Sequence, residues 1–238
     1  MTAGSAPQVP DLAVILAGAG EGTRMRGQGP KLLLTLGGVT LLERVARTFL
    51  AHPAVGEIVV VVPGRLEEQS LAALSRVSNP RDTRLAVVAG GATRQESVYA
   101  GLLSLQRELP YVAVHDVARA LVGAELITRV LDAARDMGAA IPALPLRETV
   151  KEVNEGRVVR TVPRDRLEGA QTPQIFTRDI LRRAHARATG AGATDDAWLV
   201  EQMGTPVAVV PGEILNWKLT EPSDALLLES HLRSGGVA

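Results

Sequence analysis

Short runs of valine, isoleucine and leucine alternate along the chain with longer stretches in which apolar residues recur every three or four positions. Residues 12–16 (LAVIL), 58–62 (IVVVV), 85–88 (LAVV) and 111–114 (YVAV) have no polar alternation, so they are predicted strands buried on both faces. Helices are predicted between them. Thr40 with Glu43, and Thr93 with Glu96, have the Thr-x-x-Glu spacing of a capping box, in which hydroxyl and carboxylate satisfy each other's free backbone amides. The first pair opens a helix running toward Leu50. The second opens one that places Val98, Leu102 and Leu105 on one side. Residues 67–77 and 125–137 read as two more helices. Strands buried on both faces and separated by helices predict an α/β fold, a mostly parallel, doubly wound sheet with helices on each side.

The alternation breaks after Pro145. Residues 149–153 and 157–162 flank Asn154, Glu155 and Gly156, a compact turn signal, so a β-hairpin is expected there. A hairpin projecting from an α/β body cannot bury its own apolar face, and a second subunit is the simplest cover for it. The α/β pattern then resumes with a helix over 177–188, a strand over 206–210 and a closing helix over 224–232. With no internal repeat and no long linker, the expectation is one domain over 1–238 with an embedded arm at about 146–168.

Composition narrows the function. The 238 residues carry 26 basic and 26 acidic side chains, a balance that argues against a nucleic-acid partner. The absence of cysteine excludes a disulfide scaffold, a thiolate nucleophile and Cys-ligated metal. The first ten residues lack the basic and apolar regions of a signal peptide, and the longest clean apolar run, 58–62, is far too short to span a membrane. A cytoplasmic protein with no membrane association is therefore expected. Within the neutral total, only Lys31, Lys151 and Lys218 are lysines, and the other 23 bases are arginines.

Four segments carry candidate chemistry. Residues 17–25 (AGAGEGTRM) follow the first strand, where glycines let bare amides approach phosphate oxygens. A dinucleotide fingerprint would need glycine where Thr23 stands, and an acidic residue near the end of the second strand, where Pro63 and Gly64 follow Val62. No Walker lysine occurs. With Arg24, Arg26 and Lys31, the loop suits a triphosphate, although Lys31 taken alone could be an ordinary solvated base. Asp116, after the 111–114 strand, is either a Mg²⁺ ligand or a turn aspartate. Its neighbour His115 is given no catalytic role, and the spacing of the histidines does not suggest zinc. Gly90 and Gly91, leading into the Thr93 cap, serve equally well as a ligand loop or as a plain turn. Lys218, in the apolar stretch 216–220 (NWKLT), is either a snorkelling surface base or an inward phosphate ligand, and its rarity favours the latter.

In order and spacing these segments resemble the 2-C-methyl-D-erythritol 4-phosphate cytidylyltransferases of the non-mevalonate isoprenoid pathway. The resemblance runs through the glycine-rich stretch to Pro30 and Lys31, then Gly90, Gly91, Arg94, Ser97, His115, Asp116 and Arg119. It continues through Glu148 to Lys151, QTPQ at 171–174, TDD at 194–196, and Asn216 with Lys218. It implies a Rossmann-like nucleotidyltransferase fold, transfer of CMP from CTP to methylerythritol phosphate, release of pyrophosphate, and Mg²⁺ as cofactor. By the same resemblance, Ala17, Gly18, Ala19, Gly20 and Gly22 would cradle the nucleotide, and Gly91 and Ser97 would read cytosine. Arg24, Lys31 and Lys218 would stabilise the charge at the α-phosphorus. Asp116 would hold the metal and, with Arg119, meet the sugar alcohol. Thr149 and Arg164 would bind the substrate phosphate from the neighbouring subunit of a homodimer. The chain departs from the family pattern at Ala17 and Gly18, Leu32 and Leu33, Ala92, Ala120 and Glu148. A ribitol 5-phosphate cytidylyltransferase, a nicotinamide oxidoreductase and a non-catalytic nucleotide-binding module are the alternatives.

Overall fold

The computed structural model describes residues 9–20, 30–188 and 193–234. Strand β1 (Leu12–Ala17) is followed by a single 3-10 turn at Lys31–Leu33 and a small ribbon of β2 (Thr35–Leu36) and β3 (Val39–Thr40). Helix α1 (Leu41–Ala51), β4 (Val55–Val62), α2 (Glu67–Leu74), β5 (Arg84–Ala89), α3 (Arg94–Leu103), β6 (Tyr111–Asp116) and α4 (Ala124–Met137) complete the alternating half. Beyond it lie β7 (Ala139–Pro145), the hairpin β8 (Val150–Asn154) and β9 (Arg157–Val162), β10 (Glu168–Ala170) and β11 (Gln174–Thr177). Helices α5 (Arg178–Arg187) and α6 (Asp196–Glu201), strand β12 (Ala208–Pro211) and helix α7 (Pro222–Arg233) close the chain.

Both predicted capping boxes form. Thr40 Oγ1 accepts from the Glu43 amide at 3.1 Å while Glu43 Oε2 accepts from the Thr40 amide at 2.8 Å, and Thr93 and Glu96 repeat the arrangement. Each box stops the preceding loop and starts a helix where the spacing said it should.

The main sheet runs β10-β7-β11-β6-β1-β4-β5, with β12 also paired to β7. Pairings among β6, β1, β4 and β5, and between β12 and β7, are parallel, whereas β10 and β11 run antiparallel to their neighbours. Alternate residues of β1 feed two cores. Leu12, Val14 and Leu16 join the side chains of α1 and α4, while Ala13 and Ile15 join those of α3 and α5. This is the predicted fold class, a mostly parallel α/β sheet covered on both faces.

Three readings needed correction. Strand β7 was not expected, because its AAIPALP sequence is rich in poor strand formers and contains Pro142. Pairing with strands on both sides, and burial of its first five residues, override that propensity. Strand β6 extends two residues further than predicted, so Asp116 is its last residue, and its carbonyl accepts from the Arg119 amide at 2.9 Å to open the turn that follows. The hairpin turn has two residues, not three, since Asn154 pairs with Arg157. Glu155 and Gly156 take φ of +47° and +75°, the consecutive positive values that a type I′ turn requires.

Among the described residues the hairpin strands pair only with each other, leaving Val153, Val158 and Val159 at 57%, 61% and 57% exposure. Helix α3, by contrast, lies tight on the sheet at Gly101, where an added Cβ would stand 2.8 Å from both Ile15 Cγ2 and Val61 Cγ2. Both contacts are with buried strand side chains that cannot retreat. Gly101→Ala is expected to destabilise the fold by about 1–3 kcal/mol, read as a lowered midpoint in urea unfolding. An unchanged midpoint would refute this tight approach of helix to sheet.

Candidate active site

Parallel strands of an open α/β sheet leave a crevice beyond their carboxyl ends, where loops diverge. Ala17 and Asp116, the last residues of β1 and β6, are register partners at that edge. A cleft of about 380 Å³ opens there. One wall is the loop of residues 17–20, and the opposite wall is residues 91–94 with Ser97. Lys31, Asp116 and Lys218 complete it.

The two walls hold each other in place. The Gly18 amide donates to Val61 O at 2.8 Å, and the Gly90 amide to Val62 O at 2.8 Å, so the loops that follow β1 and β5 are both tied to the end of β4. At Gly90 an added Cβ would stand 2.6 Å from both Ala19 Cβ and Ser97 Oγ, which shows how closely the walls approach. Ser97 Oγ accepts from the Gly91 amide at 3.1 Å and donates to Thr93 O at 2.8 Å, fixing the turn that faces the cleft. Gly20 is exposed, and among the described residues nothing lies within 4 Å of a Cβ added to it.

Charge is concentrated on the cleft floor. Asp116 Oδ2 lies 2.8 Å from Lys218 Nζ, and Asp116 Oδ1 lies 3.4 Å from Arg94 Nε. Burial alone would raise the Asp116 pKa, but the Arg94 guanidinium and the Lys218 ammonium outweigh it and hold the carboxyl at about 2. The floor is therefore ionised throughout the neutral range. Lys31 Nζ donates to Leu219 O, which ties the lysine after the glycine-rich loop to the segment that carries Lys218. Among the described residues no three His, Asp or Glu side chains converge as a metal cage.

A second hollow of about 550 Å³ adjoins the cleft and is lined by Arg119, Gly169, Trp217 and again Lys218. Arg119 donates through Nη1 to Asn216 O at 2.9 Å and through Nη2 to Ala170 O at 3.2 Å. Both of these partners are carbonyls rather than carboxylates, and burial lowers the Arg119 pKa.

His115, adjacent to the carboxylate, is wholly buried and serves the backbone. Its Nε2 faces Arg119 O at 3.1 Å, its Nδ1 faces Thr172 Oγ1 at 3.1 Å, and that hydroxyl also accepts from the Asp116 amide at 3.1 Å. A carbonyl only accepts, so Nε2 carries the proton, Nδ1 takes the threonine hydrogen, and the threonine oxygen is left for the Asp116 N–H. This chain of donors runs from the Asp116 amide to the Arg119 carbonyl and requires a neutral ring, whose pKa burial pushes down to about 4.

Ala17, Gly18, Ala19, Gly20, Lys31, Gly91, Ser97, Asp116 and Lys218 thus meet in one cleft, with Arg119 in the adjoining hollow. Gly22 and Arg24 lie outside the described residues. Thr149 and Arg164 are exposed at the hairpin base and line neither hollow. Sequence reasoning assigned no role to Arg94 or to Asp196, which Arg94 Nη1 meets at 2.7 Å. They are 102 residues apart, and only the TDD stretch at 194–196 hinted at the second.

A glycine-walled cleft with cations around a buried carboxylate, at the carboxyl edge of a parallel sheet, is that of an α/β protein handling phosphate-bearing ligands. The IspD family model, described as 2-C-methyl-D-erythritol 4-phosphate cytidylyltransferase, matches residues 12–234, and the chain belongs to that family. The enzyme of that description from Streptomyces avermitilis is 43% identical over 230 residues, covering 92% of this chain and 91% of the relative. The crystal structure of the enzyme of the same description from Thermus thermophilus superposes with a TM-score of 0.75 at 38% identity, covering 93% of this chain and 98% of that one. That of 4-diphosphocytidyl-2C-methyl-D-erythritol synthase from Anaerococcus prevotii gives 0.81 at 28% identity, with coverage of 94% and 99%.

The neutral His115 has a measurable consequence. The unfolded chain takes up a proton at this residue as pH falls through 6.5, whereas the folded chain does so only near 4. Its contribution is intact above 6.5 and is lost as pH falls toward 4, by at most about 3 kcal/mol. His115→Asn is expected to flatten the fall of Tm between pH 7 and 4, and an unchanged slope would refute the assignment.

Proposed function

We propose that the protein transfers CMP from CTP to 2-C-methyl-D-erythritol 4-phosphate, releasing pyrophosphate and forming 4-diphosphocytidyl-2-C-methyl-D-erythritol. Within the family, the observation that carries this reading is Lys218, which lines both hollows at once. The cleft with residues 17–20 and 91–97 suits the nucleotide, the Arg119 hollow suits the sugar phosphate, and a shared ammonium bridges two anions that must react.

The chemistry follows from charge. A phosphate monoester has its second pKa at about 6, so the acceptor is already largely a dianion at neutral pH and needs no general base. What it needs is alignment for in-line attack on the α-phosphorus, and cations for the charge that builds there. Lys31 approaches from the glycine-loop side and Lys218 from the acceptor side, with Arg24 as the third cation of the set. Gly91 and Ser97 shape the wall suited to cytosine, and Arg119 meets the acceptor. Asp116 fits Mg²⁺, which takes one or two carboxylates plus substrate phosphates rather than an all-protein cage. Bound there, the ion would neutralise triphosphate charge.

The exposed valines of the hairpin support a homodimer in which the arm, with Thr149 and Arg164, reaches the partner's acceptor hollow. The cytoplasm is the proposed site of action, and among the described residues no helix is long and apolar enough to cross a membrane.

Pyrophosphate release is expected with CTP rather than ATP, GTP or UTP, and with methylerythritol phosphate rather than ribitol 5-phosphate, in the presence of Mg²⁺. Preference for ribitol 5-phosphate would replace the acceptor, and binding of CTP without any release would leave a non-catalytic module. Lys31→Ala and Lys218→Ala are each expected to lower turnover by roughly 10²–10³-fold with Tm little changed. Near-normal turnover in either folded variant would remove that lysine from the mechanism.

A further inference from the structure

Arg94, the first residue of α3, stands between two buried carboxylates and divides itself unequally. Nη1 meets Asp196 Oδ2 at 2.7 Å, whereas Nε reaches Asp116 Oδ1 only at 3.4 Å. An arginine facing one carboxylate closes onto it through two short parallel bonds, because the guanidinium fork matches both oxygens. That closure has not happened at Asp116. Nη2 of Arg94 is left buried without a hydrogen-bond partner among the described residues, so the fork is not fully used on either side.

Asp196 is anchored well enough to resist the pull. It is 1% exposed, its amide donates to Gln174 Oε1 at 3.1 Å, and its Oδ1 faces His185 Nε2 at 3.0 Å. The His185 ring in turn stacks on Tyr99, with centroids 5.7 Å apart and planes 8° from parallel. Three elements therefore hold this carboxylate in place: α3 through Tyr99, α5 through His185 and β11 through Gln174. Lys218, the other cation at Asp116, has a side chain 42% exposed and can transfer to an incoming phosphate.

We propose that Asp196 is a positioning residue that holds Arg94 away from Asp116 and so keeps the Asp116 carboxylate available for the divalent cation. With its one short bond spent on Asp196, Arg94 stays 3.4 Å from Asp116, near enough to stabilise that charge without closing onto it. Without the Asp196 charge, the fork would rotate onto Asp116 and occupy the oxygens the metal needs. The inference rests on the reading of Asp116 as the metal-holding carboxylate.

The test is binding of Mn²⁺ to the protein in the presence of CTP and without acceptor, followed by water-proton relaxation so that no turnover is involved. Asp196→Asn is close in shape and leaves His185 an acceptor. It is expected to weaken Mn²⁺ binding about tenfold, equivalent to about 1.4 kcal/mol, and its turnover is expected to recover as Mg²⁺ is raised. The double variant Arg94→Gln with Asp196→Asn removes both charges, leaves no unpaired buried ion, and is expected to return Mn²⁺ binding to within about twofold of the wild type. A merely structural role would not be repaired by a second substitution, and the double variant decides the question even if the single one fails to fold. Unchanged Mn²⁺ binding in Asp196→Asn, or a double variant still about tenfold weak, overturns the role of Asp196. Asp116→Asn separates the layers. If it too leaves Mn²⁺ binding unchanged, the reading of Asp116 falls and this inference with it. If the wild type releases no pyrophosphate from CTP and methylerythritol phosphate, the proposed function fails.

Discussion

The site depends on one buried carboxylate kept ionised. Asp116 ends a strand that lies in the middle of the sheet, where desolvation works against its charge, and Arg94 and Lys218 reverse that penalty. Each of those cations comes from a different part of the chain: α3 supplies the first, and the segment after β12 supplies the second. Packing of α3 on the sheet and the path of the last segment past the cleft are therefore electrostatic requirements as much as steric ones. His115 and Thr172 complete the support by holding the Asp116 backbone through an ordered chain of donors.

Glycine determines how near the two walls of the cleft can come. Gly90 lets the second loop press on Ala19 and Ser97, and Gly101 lets α3 sit flush on Ile15 and Val61. Both serve a single end, because α3 begins with the residues that face the cleft. A helix lifted by one methyl group would move Arg94 and Ser97 together, which couples core packing to the geometry of the floor. The hairpin is the opposite case: among the described residues it makes no ladder with the main sheet, and it exposes Val153, Val158 and Val159.

Much of this was legible from local pattern. The apolar runs of β1, β4 and β5 and the two Thr-x-x-Glu caps are short-range signals, and each formed where it was expected. The scarcity of lysine pointed to Lys31 and Lys218, and both reach the cleft. Strand β7 escaped because AAIPALP carries a strand only when neighbours on both sides pair with it. The Arg94–Asp196 pair escaped for a related reason. Both residues fall in stretches that carry the family resemblance, but nothing local pairs them, since they stand 102 residues apart.

By itself, then, the amino-acid sequence determined the α/β class, the helix starts, the glycine-rich loop, the hairpin and the types of side chain available for phosphate chemistry. Those features follow from periodicity, capping and backbone freedom, which act over a few residues. The tertiary structure alone decided which charges share a site. It placed Asp116 between Arg94 and Lys218, gave Arg94 to Asp196, and set Lys218 between two hollows. Ion pairing inside a protein depends on distance and desolvation, and both exist only once distant segments have been folded together.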